Sequence, residues 1–394
     1  MIERVHLQIL INRLNEPKRF IQVIQGPRQV GKTTLVLQLL QKISIPHLFT
    51  SADAIAASDI VWLRQQWEIA RIKFKDAGNG RFLLVIDEIH KIDNWSETVK
   101  ALWDEDTKNE MSISIILLGS SRMMLQKGLT ESLAGRFESI YMGHWSLNEM
   151  QTAFGWTPEQ YAWFGGYPGS APLIQDEARW KNYVLSSLIE TSVSKDIMMT
   201  TRIDKPALMK KLFELGSLYS GQIVSFTKIL GQLQDAGNTT TLTHYLNLLD
   251  TAGMLCGIEK YAGSIIRKRA SIPKFQVHNN ALMSSQRNET FAQIQQQPKE
   301  WGRIVESAIG AHLLNHSQNK SFTVNYWREG NDEVDFVVER NHQLMAIEVK
   351  SSIASSTKGM AAFHKKYQPT KMVLIDNSGL TWQDFLKIDP MSLL

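Results

Sequence analysis

Three stretches in the first half of the chain are rich in apolar residues. Residues 19–25 (RFIQVIQ), 82–86 and 113–118 are each followed at once by polar residues. Unbroken apolar runs of this length predict strands covered on both faces. Between them, residues 32–43, 54–75 and 95–109 place apolar side chains at helical spacing, one face of each helix toward a core. Strands alternating with helices predict a parallel α/β sheet. Ligands in such sheets gather at the carboxyl ends of the strands, and the polar motifs fall there. From about residue 145 the pattern turns helical, over 147–154, 176–189 and 206–219. A Gly/Pro turn, FGGYPGS at 164–170, interrupts it. Residues 225–253 give two helical runs on either side of Gly237 and Asn238. From residue 274 short strands mix with one helix at 301–314.

Composition narrows the setting. Cys256 is the single cysteine, so no disulfide framework or thiolate cage can form within the chain, and a reducing, cytoplasmic location is expected. The first twenty residues carry charges among apolar positions, unlike a signal peptide. No apolar run reaches the roughly 18 residues of a membrane span, so no membrane partner is expected. The formal charge of +4 is slight for 394 residues, and contact with nucleic acid would have to rest on local patches.

The sharpest motif is Gly26-Pro27-Arg28-Gln29-Val30-Gly31-Lys32-Thr33, followed by Thr34. It matches G-x-x-x-x-G-K-[ST] between a predicted strand and a predicted helix. Its glycines let successive N–H groups turn inward around phosphates, and the helix start adds unpaired donors. Residues 26–34 are therefore the candidate ATP-binding loop. Lys32 would contact the β- and γ-phosphate oxygens, and Thr33 would place its hydroxyl on Mg²⁺. Asp87 and Glu88 end the strand FLLVI. Asp87 can hold the Mg²⁺ through its water shell, and Glu88 can orient and deprotonate the attacking water. After the third strand, Ser120 is either a sensor of the γ-phosphate or a helix cap.

With GPRQVGKTTL, FLLVIDEIHKIDNW, IILLGSSRMML, SLAGRFESIYMGHWSL and FGGYP in that order, the chain resembles prokaryotic AAA+-type ATPases that carry a C-terminal domain of uncharacterised function. The resemblance implies an arginine that reaches the γ-phosphate of a neighbouring subunit. Arg136 in SLAGRF is the best match, Arg122 is the rival, and a structural salt bridge is the plainer reading of Arg136. It also implies a homo-oligomer as one arrangement.

In the second half, residues 225–252 read as helix, turn and helix. Two strands at 254–259 and 265–269 would follow, ending in Arg267, Lys268 and Arg269. That is a winged-helix pattern, and the resembling family has one here. Residues 238–252 contain no Lys or Arg, which is poor for phosphate contacts, so domain packing competes with DNA binding. Residues 333–340 and 343–350 alternate across Asn341-His342 as a hairpin. With a two-residue turn Arg340 faces Gln343, and Asp335 falls opposite Glu348. Val334, Phe336 and Val338 then share a buried face with Met345, Ile347 and Val349, leaving Glu333, Asp335, Glu348 and Lys350 on the other. Asp335 with Glu348-Val-Lys350 is the D…E-x-K signature of restriction-endonuclease-like nucleases, in which Asp335 and Glu348 bind a divalent metal and Lys350 assists the attack. Glu306 would be the additional acid. The competing reading is a solvated hairpin face. One departure stands out: the family's Asp-x-Gly-Leu is Asn279-Asn280-Ala281-Leu282 here, and whether that acid is catalytic or structural stays open.

The expected organisation is α/β, with an AAA+ core at 1–145, a helical lid at 146–205, a winged helix at 206–272 and a nuclease-like domain at 273–394. The expected function is Mg-dependent ATP hydrolysis coupled to C-terminal domains acting on DNA or RNA. The alternative is a nucleotide-gated scaffold that binds a protein partner and carries an inactive nuclease-like domain.

Overall fold

The computed structural model describes residues 2–119, 128–129, 132–198, 203–233, 238–262, 271–320, 322–350 and 358–394. They form two compact units, Met1–Met142 and Gly143–Leu394. Among the described residues no helix is long and apolar enough to cross a membrane.

The first unit holds five parallel strands: β1 (Ile21–Gln25), β2 (His47–Ser51), β3 (Phe82–Asp87), β4 (Ile113–Leu118) and β5 (Phe137–Tyr141). Their order is β2-β3-β4-β1-β5. The central strands are mostly apolar because each face has its own core. Ile21, Val23, Leu84, Ile86, Ile115 and Leu117 pack on one side with the helices Ile60–Asp76 and Trp95–Lys108. Ile24, Leu83, Val85, Ile116 and Leu118 pack on the other with His6–Asn15 and Lys32–Lys42. The edge strands β2 and β5 were not legible beforehand. HLFTS and FESIY are partly exposed and mix polar with apolar residues, as strands paired along one side only can.

Gly26 follows β1 directly, with φ at +152°. A Cβ there would lie 2.1 Å from the Met142 carbonyl oxygen, so no other residue fits without moving backbone. The loop is thereby fixed to the end of the sheet.

In the second unit, Ser146 and Thr157 open the helices Leu147–Phe154 and Pro158–Phe164 with reciprocal capping boxes to Glu149 and Gln160. Gly166 in FGGYP is forced by contact, since its Cβ would meet the Trp145 carbonyl oxygen at 2.1 Å. Helix Pro206–Leu218 leads into β6 (Gln222–Ile223), and helices Phe226–Leu233 and Thr239–Thr251 follow. Next come β7 (Leu255–Ile258) and β8 (Lys274–Val277), antiparallel in the order β6-β8-β7. Residues 265–269, expected as a wing strand ending in Arg267, Lys268 and Arg269, lie outside the described residues; the described partner of β7 is β8.

The rest of this unit sets the long helix Pro298–Lys320 beside a four-stranded sheet. Its strands are β9 (Thr323–Glu329), β10 (Asp332–Arg340), β11 (Gln343–Val349) and β12 (Lys371–Ile375), in the order β12-β11-β10-β9. The β10–β11 register pairs Arg340 with Gln343 and Phe336 with Ile347. Asn341 and His342 turn the hairpin at φ of +48° and +67°, the geometry of a tight two-residue loop. The expected division of faces needs correction. Val334 clusters with Val337, Ala346, Met360 and Phe363, not with Phe336 and Val338. The cause is a shift in the β9–β10 register between Val334 and Val337, a bulge that moves side chains across the sheet. Nor is the opposite face solvated: Val337 and Ala346 are wholly buried and Glu348 is 6% exposed.

The boundaries expected at 205/206 and 272/273 both fall inside the second unit. The latter directly precedes β8, whose hydrogen bonds run to β6 and β7.

Candidate functional site

The phosphate-loop motif lies between β1 and helix Lys32–Lys42. Gly26, Gln29 and Gly31 all have positive φ, at +152°, +58° and +92°. Such alternation turns backbone N–H groups into a concavity suited to anions. Lys32 is 8% exposed. Its ammonium donates to the carbonyls of Gly26 at 3.0 Å and Pro27 at 2.7 Å, which keeps the charge at the loop. Thr33 is exposed, and its hydroxyl donates to Asp87 Oδ2 at 2.8 Å.

Asp87 is the last residue of β3 and is buried. Its Oδ1 accepts the Glu88 N–H at 2.8 Å. Burial raises its carboxyl above the usual range, and the Thr33 hydrogen bond opposes that rise. Thr33 and Asp87 thus bring two hard oxygen donors together, a set that fits Mg²⁺. Glu88 takes a left-handed conformation at φ +52°, so the chain leaves the strand there. Its Oε2 lies 3.4 Å from His90 Nε2, a neighbour the motif did not indicate. Strand β4 lies between β1 and β3 and brings Leu118 to the same end of the sheet. Ser120 and Arg122, the sensor and the rival arginine, lie outside the described residues. Arg136 sits just before β5 and pairs with Asp104 through Nε at 2.7 Å and Nη2 at 3.0 Å.

The second unit gathers Glu306, Asp335, Glu348 and Lys350 at one place, and adds a residue that sequence reasoning missed. Lys274 on β8 has no exposed surface. Its Nζ lies 2.6 Å from Glu306 Oε1, 3.1 Å from the Asp335 carbonyl oxygen and 3.8 Å from Asp335 Oδ1. It also stands 4.5 Å above the Phe336 ring centroid. Burial alone would lower its pKa, but the charges of Glu306 and Asp335 outweigh that and raise it. Asp335 Oδ2 accepts the Val349 N–H at 2.8 Å. Lys350 pairs with Glu348 Oε1, whereas Glu348 Oε2 is buried with no hydrogen-bond partner among the described residues. Burial pushes the Glu306 and Glu348 carboxyls up, the Asp335 charge adding to both. The sole hint in the sequence was a lysine opening a short, otherwise buried strand, KFQV. A pocket of about 400 Å³, lined by Trp301, Trp382, Glu306, Val349 and Lys350, adjoins the cluster.

Asn279 and Asn280 are framework residues. Asn279 Oδ1 accepts N–H groups from Gly166 and Ala281, each at 3.1 Å. Asn280 donates to the Ala162 and Ile304 carbonyls at 2.7 and 3.0 Å and accepts the Ser307 hydroxyl. Both are buried, and together they join the FGGYP turn to the long helix.

A domain-family model, the AAA domain, matches residues 18–151. Residues 156–292 and 301–387 match two further models, each described only as a domain of unknown function (DUF8612 and DUF4143). No curated protein matches the chain. Among solved structures, a Walker-type ATPase of Pyrococcus abyssi is similar at 13% identity and a TM-score of 0.50, over 73% of this chain and 96% of that one. The ORC2 protein of Aeropyrum pernix matches more loosely, at 15% identity and a TM-score of 0.40, over 64% and 85%. The family match and the likeness of fold support an AAA-type P-loop ATPase in the first unit.

Proposed function

We propose that the chain is a Mg-dependent ATPase whose second unit acts on nucleic acid. The observation that carries the first part is the Thr33–Asp87 hydrogen bond, which joins the phosphate loop to the acid at the end of β3. Loop N–H groups and Lys32 bind and orient the phosphates, while Thr33 and Asp87 hold the cation. Bound Mg²⁺ would neutralise developing phosphate charge. Glu88 accepts the proton of the attacking water.

For the second unit, the order helix, strand, helix, helix, strand, strand among the described residues between 206 and 277 supports a winged helix. The convergence of Glu306, Asp335, Glu348 and Lys350 on a four-stranded sheet supports a restriction-endonuclease-like domain. These assignments divide the second unit into lid, winged helix and nuclease-like part near 205 and 272. Asp335 and Glu348 are the residues that would hold a second divalent ion. Two observations favour the other reading, a nucleotide-gated scaffold for a protein partner. Helix Thr239–Thr251 carries no Lys or Arg, and the acid cluster already contains the Lys274 ammonium. The deciding experiment is phosphate release with and without single- and double-stranded DNA. Stimulation by DNA supports action on nucleic acid, and indifference to both forms supports the scaffold.

Arg136 has a role of its own to test. If it acts on a neighbouring subunit's nucleotide, Arg136→Ala binds ATP normally and turns it over at least tenfold more slowly. Mixing it with Glu88→Gln then restores part of the activity, because some interfaces pair an intact Arg136 with an intact Glu88. Asp104→Ala should retain turnover. Equal losses from Arg136→Ala and Asp104→Ala, with no rescue in exchanging oligomers, would make the pair purely structural.

A further inference from the structure

The acids of the second unit are read above as a divalent-metal site, and their geometry contains a cation of its own. Lys274 Nζ lies between Glu306 Oε1 and Asp335 Oδ1, at 2.6 and 3.8 Å. We propose that Lys274 is the resident cation of this cluster and excludes a divalent ion from its Glu306 side. Any ion the cluster takes is then a single one, held by Asp335 and Glu348, and Glu306 is not a ligand. The inference rests on the nuclease-like reading only for the choice of Asp335 and Glu348.

The first argument is steric. Mg²⁺ bridging Glu306 and Asp335 must approach their oxygens to roughly 2.0–2.1 Å. The ammonium stands 2.6 Å from Glu306 Oε1, in the space such an ion would need. It is wholly buried, the Asp335 carbonyl accepts one of its protons at 3.1 Å, and the Phe336 ring closes another side.

The second argument is charge. Glu306, Asp335 and Glu333 act on Lys274, and Asp335 and Lys350 act on Glu348. Glu333 also faces the Arg328 guanidinium at 3.9 Å. With every group ionised, four carboxylates and three cations leave a formal charge of −1, which one divalent ion already more than cancels. A second would add to an uncompensated excess in a buried site, which is strongly unfavourable. Removing the lysine makes the cluster one unit more negative and vacates the space beside Glu306.

The third is the distribution of unused donors. Glu306 Oε1 is taken by Lys274 and Glu348 Oε1 by Lys350. Glu348 Oε2 is buried with no hydrogen-bond partner among the described residues. It belongs to the pair assigned to the ion, not to the Glu306 side.

The test counts Mn²⁺ bound per chain, by calorimetry and by the loss of free-ion EPR signal, in the full-length protein without nucleotide. Wild type is compared with Lys274→Met, Glu306→Gln and Glu348→Ala, each checked for folding by thermal melting. Lys274→Met is expected to bind one more Mn²⁺ than wild type, and Glu306→Gln the same number as wild type. An unchanged count in folded Lys274→Met overturns the proposal, as does loss of an ion in Glu306→Gln. If Lys274→Met does not fold, the Glu306→Gln count decides. A wild-type count that Glu348→Ala fails to lower refutes the metal reading of Asp335 and Glu348. The gain or absence of an ion in Lys274→Met then still judges the lysine.

Discussion

Lys32→Ala is expected to abolish measurable ATP turnover. The side chain is the ammonium fixed at the loop, held by the Gly26 and Pro27 carbonyls in a position that is 8% exposed. In that setting a fixed charge acts at low effective dielectric and needs no reorganisation when charge develops on the β- and γ-oxygens. Loss of one preorganised donor to a developing oxyanion typically lowers the rate about 10²–10³-fold. Here the donor also carries full charge, so the effect should lie at or beyond the upper end of that range. The measurement is steady-state phosphate release at saturating Mg·ATP, with a melting curve to show that the variant is folded. Turnover within twofold of wild type would sink the phosphate-loop assignment.

Glu88→Gln should separate binding from chemistry. The amide keeps the size of the side chain and cannot take a proton from water. General-base catalysis is worth roughly 10²–10⁴ in rate, so hydrolysis should fall by that factor while nucleotide affinity stays within a fewfold of wild type. Asp87 is the contrasting position. It is the carboxylate bonded to Thr33, and Asp87→Asn should weaken Mg-dependent binding itself. Fluorescent-nucleotide binding with and without Mg²⁺, beside single-turnover hydrolysis, distinguishes the two. Loss of binding in Glu88→Gln would make it a metal-holding or structural group and leave the base to be found elsewhere.

The amino-acid sequence by itself determined the phosphate loop, the acids after β3 and the parallel sheet. Those features are local. A loop packed against neighbouring backbone at positive φ needs glycine there, as at Gly26, and a strand buried on both faces is apolar at most positions. The hairpin of β10 and β11 was legible for the same reason, since two residues between alternating strands fix the register of Arg340 with Gln343. The edge strands β2 and β5 were not, because partial exposure relaxes the pattern that marks a strand. The tertiary structure alone decided that Val334 crosses to the Val337 side. The bulge responsible belongs to the pairing with β9 and not to β10's own sequence. It alone paired Arg136 with Asp104, which lies 32 residues away. It alone carried Lys274 into the acid cluster. A lysine on β8 meets an acid 32 residues on and another 61 residues on, separations at which no periodicity connects them. What brings them together is burial: the charge of Lys274 can leave water only where Glu306 and Asp335 compensate it.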